Sequence, residues 1–330
     1  MNPLQGPCLA LAPMDGITDA VMRDFLGGFA AFSYSVSEFV RVAHQSVLGR
    51  VFLREVPELG TGGRTTSGLP VQVQILGGDP DLMAESARHA VEVGARSIDI
   101  NFGCPAPVVN RHDGGASLLR SPCRIRDVVA AVVSAVNVPV SAKLRLGWDS
   151  IEDIHENAAK AAEGGAAWLT IHARTRTAGY RPPVYWEPIG QVRARLGIPV
   201  VANGDIWDLD GFKLCREQTG GSHFMIGRGA LANPRLSHEI AAELGLEVKN
   251  PDPGAVWNQH FCRLVARAGT DIKSLHRIKQ WMSLATKHGS FEHFDLVKRA
   301  TSVTELLSVL DALEARRLVP SCQSSAVSGR

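Results

Sequence analysis

Paired cysteines are missing from this 330-residue sequence. Its six cysteines, at positions 8, 104, 123, 215, 262 and 322, include no CxxC spacing. That pattern argues against a metal knuckle, a thioredoxin-type redox pair and a disulfide framework, and no metal site is expected. Long apolar runs are missing too: none approaches the ~18 residues that a membrane span needs. No basic segment followed by an apolar run opens the chain, so no secretory leader is expected and the thiols should stay reduced in the cytoplasm. No GxGxxG follows the first strand-like run, which speaks against a dinucleotide-binding Rossmann fold. A large excess of one charge is also lacking, with a net charge of only +2. That small charge is unevenly placed: residues 246–330 hold 12 Lys+Arg against 8 Asp+Glu, and the remainder 23 against 25. A basic C-terminal part suits a docked polyanion and equally suits a solvated helical surface.

Apolar residues make up 45% of the chain, enough for a large core. Short β-rich runs alternate with helical patterns up to about residue 244. The expected strands are Leu9–Pro13, Phe32–Ser35, Val71–Leu76, Ser97–Asn101, Val140–Leu144, Trp168–His172, Val200–Ala202 and His223–Ile226. Helical patterns between them include Asp81–Val93, Ile125–Val136, Ile151–Glu163 and Asp208–Gln218. Eight strand–helix units in this length predict an α/β fold, a (β/α)8 TIM barrel, over an open doubly wound sheet. Asn250-Pro251-Asp252-Pro253-Gly254 is a breaker cluster, and no strand pattern follows it. The expected organisation is a catalytic barrel over 1–248, a helical bundle domain over 249–318 and a disordered Ser-rich tail over 319–330. Within the bundle, Ile278, Trp281, Met282 and Ala285 form an apolar stripe at helical spacing, while Lys279, Ser283 and Lys287 share another face.

The polar residues gather at strand ends, where a parallel barrel binds ligands. Asp99-Ile100-Asn101-Phe102-Gly103-Cys104-Pro105 reads as a buried strand breaking into a tight loop that holds a thiol beside an amide. Cys104 is either a small buried hydrophobe or, as the context favours, a reactive group. Pro13, Met14, Asp15 and Gly16 close the first strand, where Gly16 permits close approach of a planar ligand. Gln72 and Gln74 share one face of an alternating strand and need polar partners, which a heterocycle with carbonyl and N–H edges would supply. Lys143 and Arg145 also share a face; they call for an anion, charge stabilisation on a reduced ring, or a salt bridge to an inner carboxylate. His172 stands at the end of the sixth strand as a proton donor or a carbonyl partner. Asn203-Gly204-Asp205 and Gly227-Arg228-Gly229 follow the seventh and eighth strands, the usual phosphate cradle of such barrels. A phosphorylated planar cofactor over the barrel mouth, with a thiol opposite, fits this set, and flavin mononucleotide (FMN) fits it better than NAD.

At these residues the chain resembles the tRNA-dihydrouridine synthase family. The resemblance extends to about residue 315 and is carried by Ala12-Pro13-Met14-Asp15-Gly16-Ile17-Thr18-Asp19, Asn101-Phe102-Gly103-Cys104-Pro105, Lys143-Leu144-Arg145-Leu146-Gly147-Trp148, Val201-Ala202-Asn203-Gly204-Asp205 and Met225-Ile226-Gly227-Arg228-Gly229-Ala230-Leu231. Glu38-Phe39-Val40-Arg41-Val42, Gly114-Gly115-Ala116-Ser117-Leu118-Leu119 and Arg277-Ile278-Lys279-Gln280-Trp281 are most similar to the bacterial C-type subgroup, which acts on uridine 16 of the D-loop. Asp15 departs from the Glu often found in that subgroup. The resemblance implies reduction of a uracil C5=C6 bond by FMN, with NADPH (or NADH) as reductant and tRNA as partner. It implies that Pro13, Met14, Asp15, Gln74, Lys143, His172, Asn203, Gly204, Asp205, Gly227 and Arg228 hold the cofactor. It further implies that hydride reaches C6 and that Cys104 gives its proton to C5. Arg41, Arg277, Lys279, Leu284 and Lys298 would orient the tRNA, and Asn101 and Tyr180 would contact a flipped uridine or its neighbours. A tRNA-wide surface on one chain suits a monomer. The competing expectations are the same reaction at another D-loop uridine, reduction of a free pyrimidine as in dihydroorotate dehydrogenases, a tRNA-binding chaperone without turnover, and a barrel with a sugar-phosphate ligand.

Overall fold

The structure is a computed structural model that describes residues 4–107, 114–248 and 257–317. The Asn250–Gly254 breaker cluster and the tail from 319 lie outside the described residues. The chain divides into two compact units, Met1–Gly254 and Ala255–Arg330.

In the first unit eight parallel strands close into a barrel in sequence order, as expected for a TIM barrel. They are β1 (Cys8–Leu11), β2 (Tyr34–Arg41), β3 (Val71–Leu76), β4 (Ile98–Asn101), β5 (Val140–Arg145), β6 (Trp168–His172), β7 (Val200–Asn203) and β8 (His223–Ile226). Helices on the outside connect them, so both strand faces are covered and β3 is buried along its whole length. Strand ends differ from expectation where the backbone chemistry intervenes. The first strand stops before Pro13: the N–H of Ala12 still reaches the Ile226 carbonyl at 2.8 Å, but proline has no N–H to continue the ladder. The second strand runs six residues beyond its expected end at Ser35. A register shift between Val36 and Phe39 breaks its period of two, which hides it from a pattern search.

Several helix starts are set by short acids. Asp79 accepts from the N–H groups of Asp81 and Leu82 ahead of Pro80–Glu92, and Asp208 accepts from Gly211 ahead of Leu209–Thr219. The lower barrel interior is apolar: Cys8, Ala10 and Ala12 stand with Tyr34, Val36, Trp168, Val201 and Met225. Small side chains on β1 leave room for the Trp168 indole, which is fully buried. Burial pushes the Cys8 and Cys215 thiols up to about 12, so both behave as core residues.

The second unit is helical across its described residues: Trp257–Ala268, Ile272–His288, Phe294–Val297 and Val303–Arg317. Asp271 caps the long helix by accepting the Ser274 N–H at 2.7 Å. The stripe Ile278, Trp281, Met282 and Ala285 is its buried face. Trp281 packs edge-on against Phe261 with centroids 5.2 Å apart, and Trp257 stacks on Phe261 at 5.9 Å.

Candidate active site

The apolar floor of the barrel gives way to a polar layer built from alternate residues of β3, β4 and β5. Asp99 is its centre. The Ser141 hydroxyl donates to Asp99 Oδ1 at 2.5 Å, and Gln74 Nε2 donates to Oδ2 at 2.7 Å. Gln72 Nε2 donates to Ser141 Oγ at 3.0 Å and to the Ile98 carbonyl at 3.1 Å. Gln72 and Gln74 therefore find protein partners before any ligand is considered. Burial pushes the Asp99 carboxyl above the usual carboxylate range, against the pull of its hydrogen bonds and of Lys143.

The amide chain continues upward. Asn101 Nδ2 donates to Gln74 Oε1 at 2.8 Å, and Asn101 Oδ1 accepts the backbone N–H groups of Gly103 and Cys104, both at 2.9 Å. The loop carrying the thiol is thus pinned to the strand that precedes it. Arg145 pins it from the other side: Nε donates to the Gly103 carbonyl at 2.7 Å, and Nη1 to the carbonyls of Thr175 at 3.1 Å and Gly179 at 2.8 Å. Arg145 meets carbonyls rather than an inner carboxylate. Lys143 Nζ donates to Asn203 Oδ1 at 3.1 Å, and Asn203 Nδ2 donates to the Met225 carbonyl at 2.8 Å.

Above this layer lies a cavity of about 310 Å³ at the C-terminal ends of the strands. Every expected cofactor residue lines it: Pro13, Met14, Asp15, Gln74, Lys143, His172, Asn203, Gly204, Asp205, Gly227 and Arg228. Cys104, Asn101 and Tyr180 line it as well. Arg41 ends β2 outside the cavity wall. Arg277, Lys279, Leu284 and Lys298 belong to the second unit. There, Lys279 Nζ donates to the Ala300 carbonyl at 2.5 Å, and Lys298 pairs with Asp295 at 2.5 Å.

The electrostatics of the cavity follow from burial. The Cys104 thiol is pushed above its ordinary value by burial, with Asp15 adding to the rise and Arg145 and Lys143 opposing it. Lys143 is pulled below the usual ammonium range by burial and by Arg145. Burial and four nearby cations hold His172 well below its usual value, so the ring is neutral at neutral pH. Its Nδ1 is buried and has no partner among the described residues. Asp205 sits in the left-handed region at φ 49°, and its carboxylate is shared by Arg174 and by Arg228, the latter at 2.7 Å. Burial alone would raise Asp205, but these two guanidinium groups hold it below the carboxylate range. Arg228 also lies over the rings of Tyr180, at 4.6 Å, and Trp207, at 5.0 Å. Gly204 has φ 119°, and a Cβ there would crowd His172 at 3.3 Å.

The sequence motifs assign no individual role to Asp99, Ser141 or Glu38, which the structure places at the site. The signal for Asp99 was a carboxylate two residues from Asn101 in an otherwise apolar strand. Glu38 lines the cavity and accepts the Ile17 N–H at 3.1 Å. Burial and the nearby Asp19 push its carboxyl up to about 7.

The donor set suits a phosphorylated flavin. The remaining hydrogen-bonding capacity of the Gln74 and Asn203 amides, an ammonium and an unpartnered imidazole nitrogen would suit the edges of a heterocycle, and Arg228 beside two glycine turns would suit a phosphate. Among the described residues no group of three or more His, Cys, Asp or Glu could hold a metal ion, and no helix is long and apolar enough to cross a membrane.

The chain is 50% identical over 278 residues to a tRNA-dihydrouridine(16) synthase of Shewanella oneidensis, covering 83% of this chain and 87% of that one. It is 40% identical over 321 residues to the protein of that name from Neisseria meningitidis serogroup B, covering 95% and 96%. Among solved structures, an old yellow enzyme homologue from Zymomonas mobilis overlaps with a TM-score of 0.49 at 15% identity, over 73% of this chain and 90% of that one. The model of the dihydrouridine synthase (Dus) family matches residues 10–316. A match over that length, through the barrel and the helices that follow it, places this chain in the dihydrouridine synthase family.

Proposed function

We propose that this protein reduces the C5=C6 bond of uridine 16 in the D-loop of tRNA to 5,6-dihydrouridine, in the cytoplasm and as a monomer, with NADPH (or NADH) as the ultimate reductant. The observation that carries this reading is a half-buried, protonated thiol on a loop pinned from two sides, facing a cavity with amides, an ammonium and a neutral imidazole. Gln74, Lys143, His172, Asn203 and Arg228 would hold FMN, which when bound would supply hydride chemistry at uracil C6.

The chain's own residues do the rest. A uridine leaves the RNA stack to enter the cavity, and Tyr180, 55% exposed at its edge, offers a ring to stack on. Neutral His172 has an N–H for a carbonyl oxygen, and Lys143 stabilises the negative charge that develops on the pyrimidine as C6 is reduced. Cys104 gives its proton to C5 and is left as a thiolate, whose charge Lys143 and Arg145 stabilise. Arg145 and Asn101 keep that sulfur in place throughout. Arg277, Lys279, Leu284 and Lys298 of the second unit would each contact the tRNA, and so, independently, would Arg41 of the barrel.

The test is nucleotide-resolved mass analysis of unmodified tRNA after incubation with the protein, FMN and NADPH. A gain of two hydrogens confined to uridine 16 is the expected result. The same gain at another D-loop uridine would keep the chemistry and discard the position. No gain on any tRNA, from protein with reducible bound flavin, would overturn the proposal.

A further inference from the structure

The loops that follow β4, β5 and β6 carry a second cationic feature that the reaction does not use. Arg120 ends the turn Gly115–Arg120 after β4, Trp148 lies in the loop after β5, and Arg176 in the loop after β6. The guanidinium carbons of Arg120 and Arg176 lie 4.2 Å and 4.5 Å from the centroid of the Trp148 ring. Stacking on a ring occupies the π-face of a guanidinium and leaves its in-plane N–H donors to other partners. Among the described residues neither guanidinium makes an ion pair or a side-chain hydrogen bond, and the Nε of Arg176 is buried without a partner. Asp153, the nearby acid, is turned to the backbone N–H groups of Trp148 and Ser150 instead.

The stack is not needed to join the loops after β5 and β6. Arg176 N–H already donates to the Gly147 carbonyl at 2.9 Å, and Thr177 N–H to that of Trp148 at 2.9 Å. Residues 173–186 extend this pattern with exposed Arg181 and two exposed tyrosines and contain no acid, whereas Arg174 is buried against Asp205. Cations interleaved with aromatic rings on the loops that follow the C-terminal ends of β4 to β6, beyond the cavity lining, fit a single nucleic-acid strand: planar donors for phosphate oxygens and rings for bases.

Resting on the activity proposed above, we propose that Arg120, Trp148 and Arg176, continued along the same loop by Arg181 and Tyr185, form a tRNA contact on the barrel rim that grips the ribose-phosphate strand leading into the cavity. The test measures binding of unmodified tRNA to the flavin-loaded protein by fluorescence anisotropy between 50 and 200 mM KCl. The paired substitution Arg120→Gln with Arg176→Gln should weaken binding about tenfold at 100 mM and lower the salt slope by roughly 1.5, the loss of two phosphate contacts. The pair Arg120→Lys with Arg176→Lys keeps the charges without the planar stack and should keep most of the slope. Unchanged affinity and slope in the Gln pair would overturn the proposal. So would an equal loss in both pairs with a lowered melting temperature, which would make the stack a structural tie. If the unsubstituted protein showed no salt-dependent tRNA binding, the proposed activity would fall with it; a change confined to the Gln pair cannot be confused with that.

Discussion

Cys104 sits where two opposing influences are balanced. Burial favours the neutral thiol, and Lys143 and Arg145 favour the thiolate. Burial prevails, so the proton stays on sulfur at neutral pH; as the proposed acid, Cys104 would release it only when a stronger acceptor forms at substrate carbon. The sign of the pH dependence follows. An acid with a raised pKa stays competent to higher pH, so single-turnover reduction should hold through about pH 8.5, the ordinary thiol value, and decline above it. Cys104→Ala should lose that alkaline limb and about 10²–10⁴ of the rate, while flavin absorbance and tRNA affinity persist. Near-normal turnover in this variant would remove Cys104 as the acid. Much of the cavity wall was legible because Gln74, Lys143, His172 and Asn203 are polar residues at the ends of apolar runs, a pattern with few structural uses. Arg145 was legible as a cation but not as a clamp on two loops, since carbonyl acceptors leave no trace in side-chain identity.

Whole elements hold these side chains in place through buried polar groups that pattern alone does not pair. Arg23, fully buried on the helix Ala20–Gly27, donates two hydrogen bonds to the Glu58 carboxylate, both at 2.8 Å, and a third to the Thr18 carbonyl at 2.7 Å. Thr18 in turn binds Met14 at the cavity edge, its Oγ1 accepting the Met14 N–H at 2.7 Å. Arg23→Ala would leave Glu58 buried without its partner and should cost about 3–5 kcal/mol in chemical denaturation, with flavin release preceding unfolding. Loss under 1 kcal/mol would mean that water reaches Glu58. The polar layer around Asp99 gives a second test. Its carboxyl is raised in the folded barrel above the unfolded value, so its contribution is fully present below the ordinary carboxylate range and is lost as pH rises through the folded value. Stability relative to Asp99→Asn should therefore improve as pH falls from 7 towards 5, and a constant difference across that range would show that Asp99 does not titrate there. The barrel was readable because β3 to β8 are compact apolar runs. The true length of β2 was not, because its register shift spoils alternation where the strand passes Ser37 and Glu38.

On the activity proposed above, the barrel unit would hold the reacting groups and the helical unit none of them. The second unit was recognisable from its lack of strand patterns and from the stripe at Ile278, Trp281, Met282 and Ala285, but its basic residues differ in how they are held. Lys298 pairs with Asp295 on an exposed surface, a solvent-screened contact easily exchanged for a phosphate. Lys279 instead donates to the Ala300 carbonyl and ties the long helix to the chain that follows Phe294–Val297. Substitutions here should therefore separate. Arg277→Glu with Lys298→Glu should raise KM for tRNA about tenfold and flatten its dependence on salt, with kcat and flavin content unchanged, because no reacting group is touched. Lys279→Ala should also lower the melting temperature of the helical unit, since the Ala300 carbonyl loses its donor. Steady-state kinetics on one tRNA at two salt concentrations, with melting curves beside them, distinguishes the two effects. A fall in kcat at unchanged KM in the double variant would mean that the helical unit helps to place the uridine over the thiol rather than only to bind the tRNA.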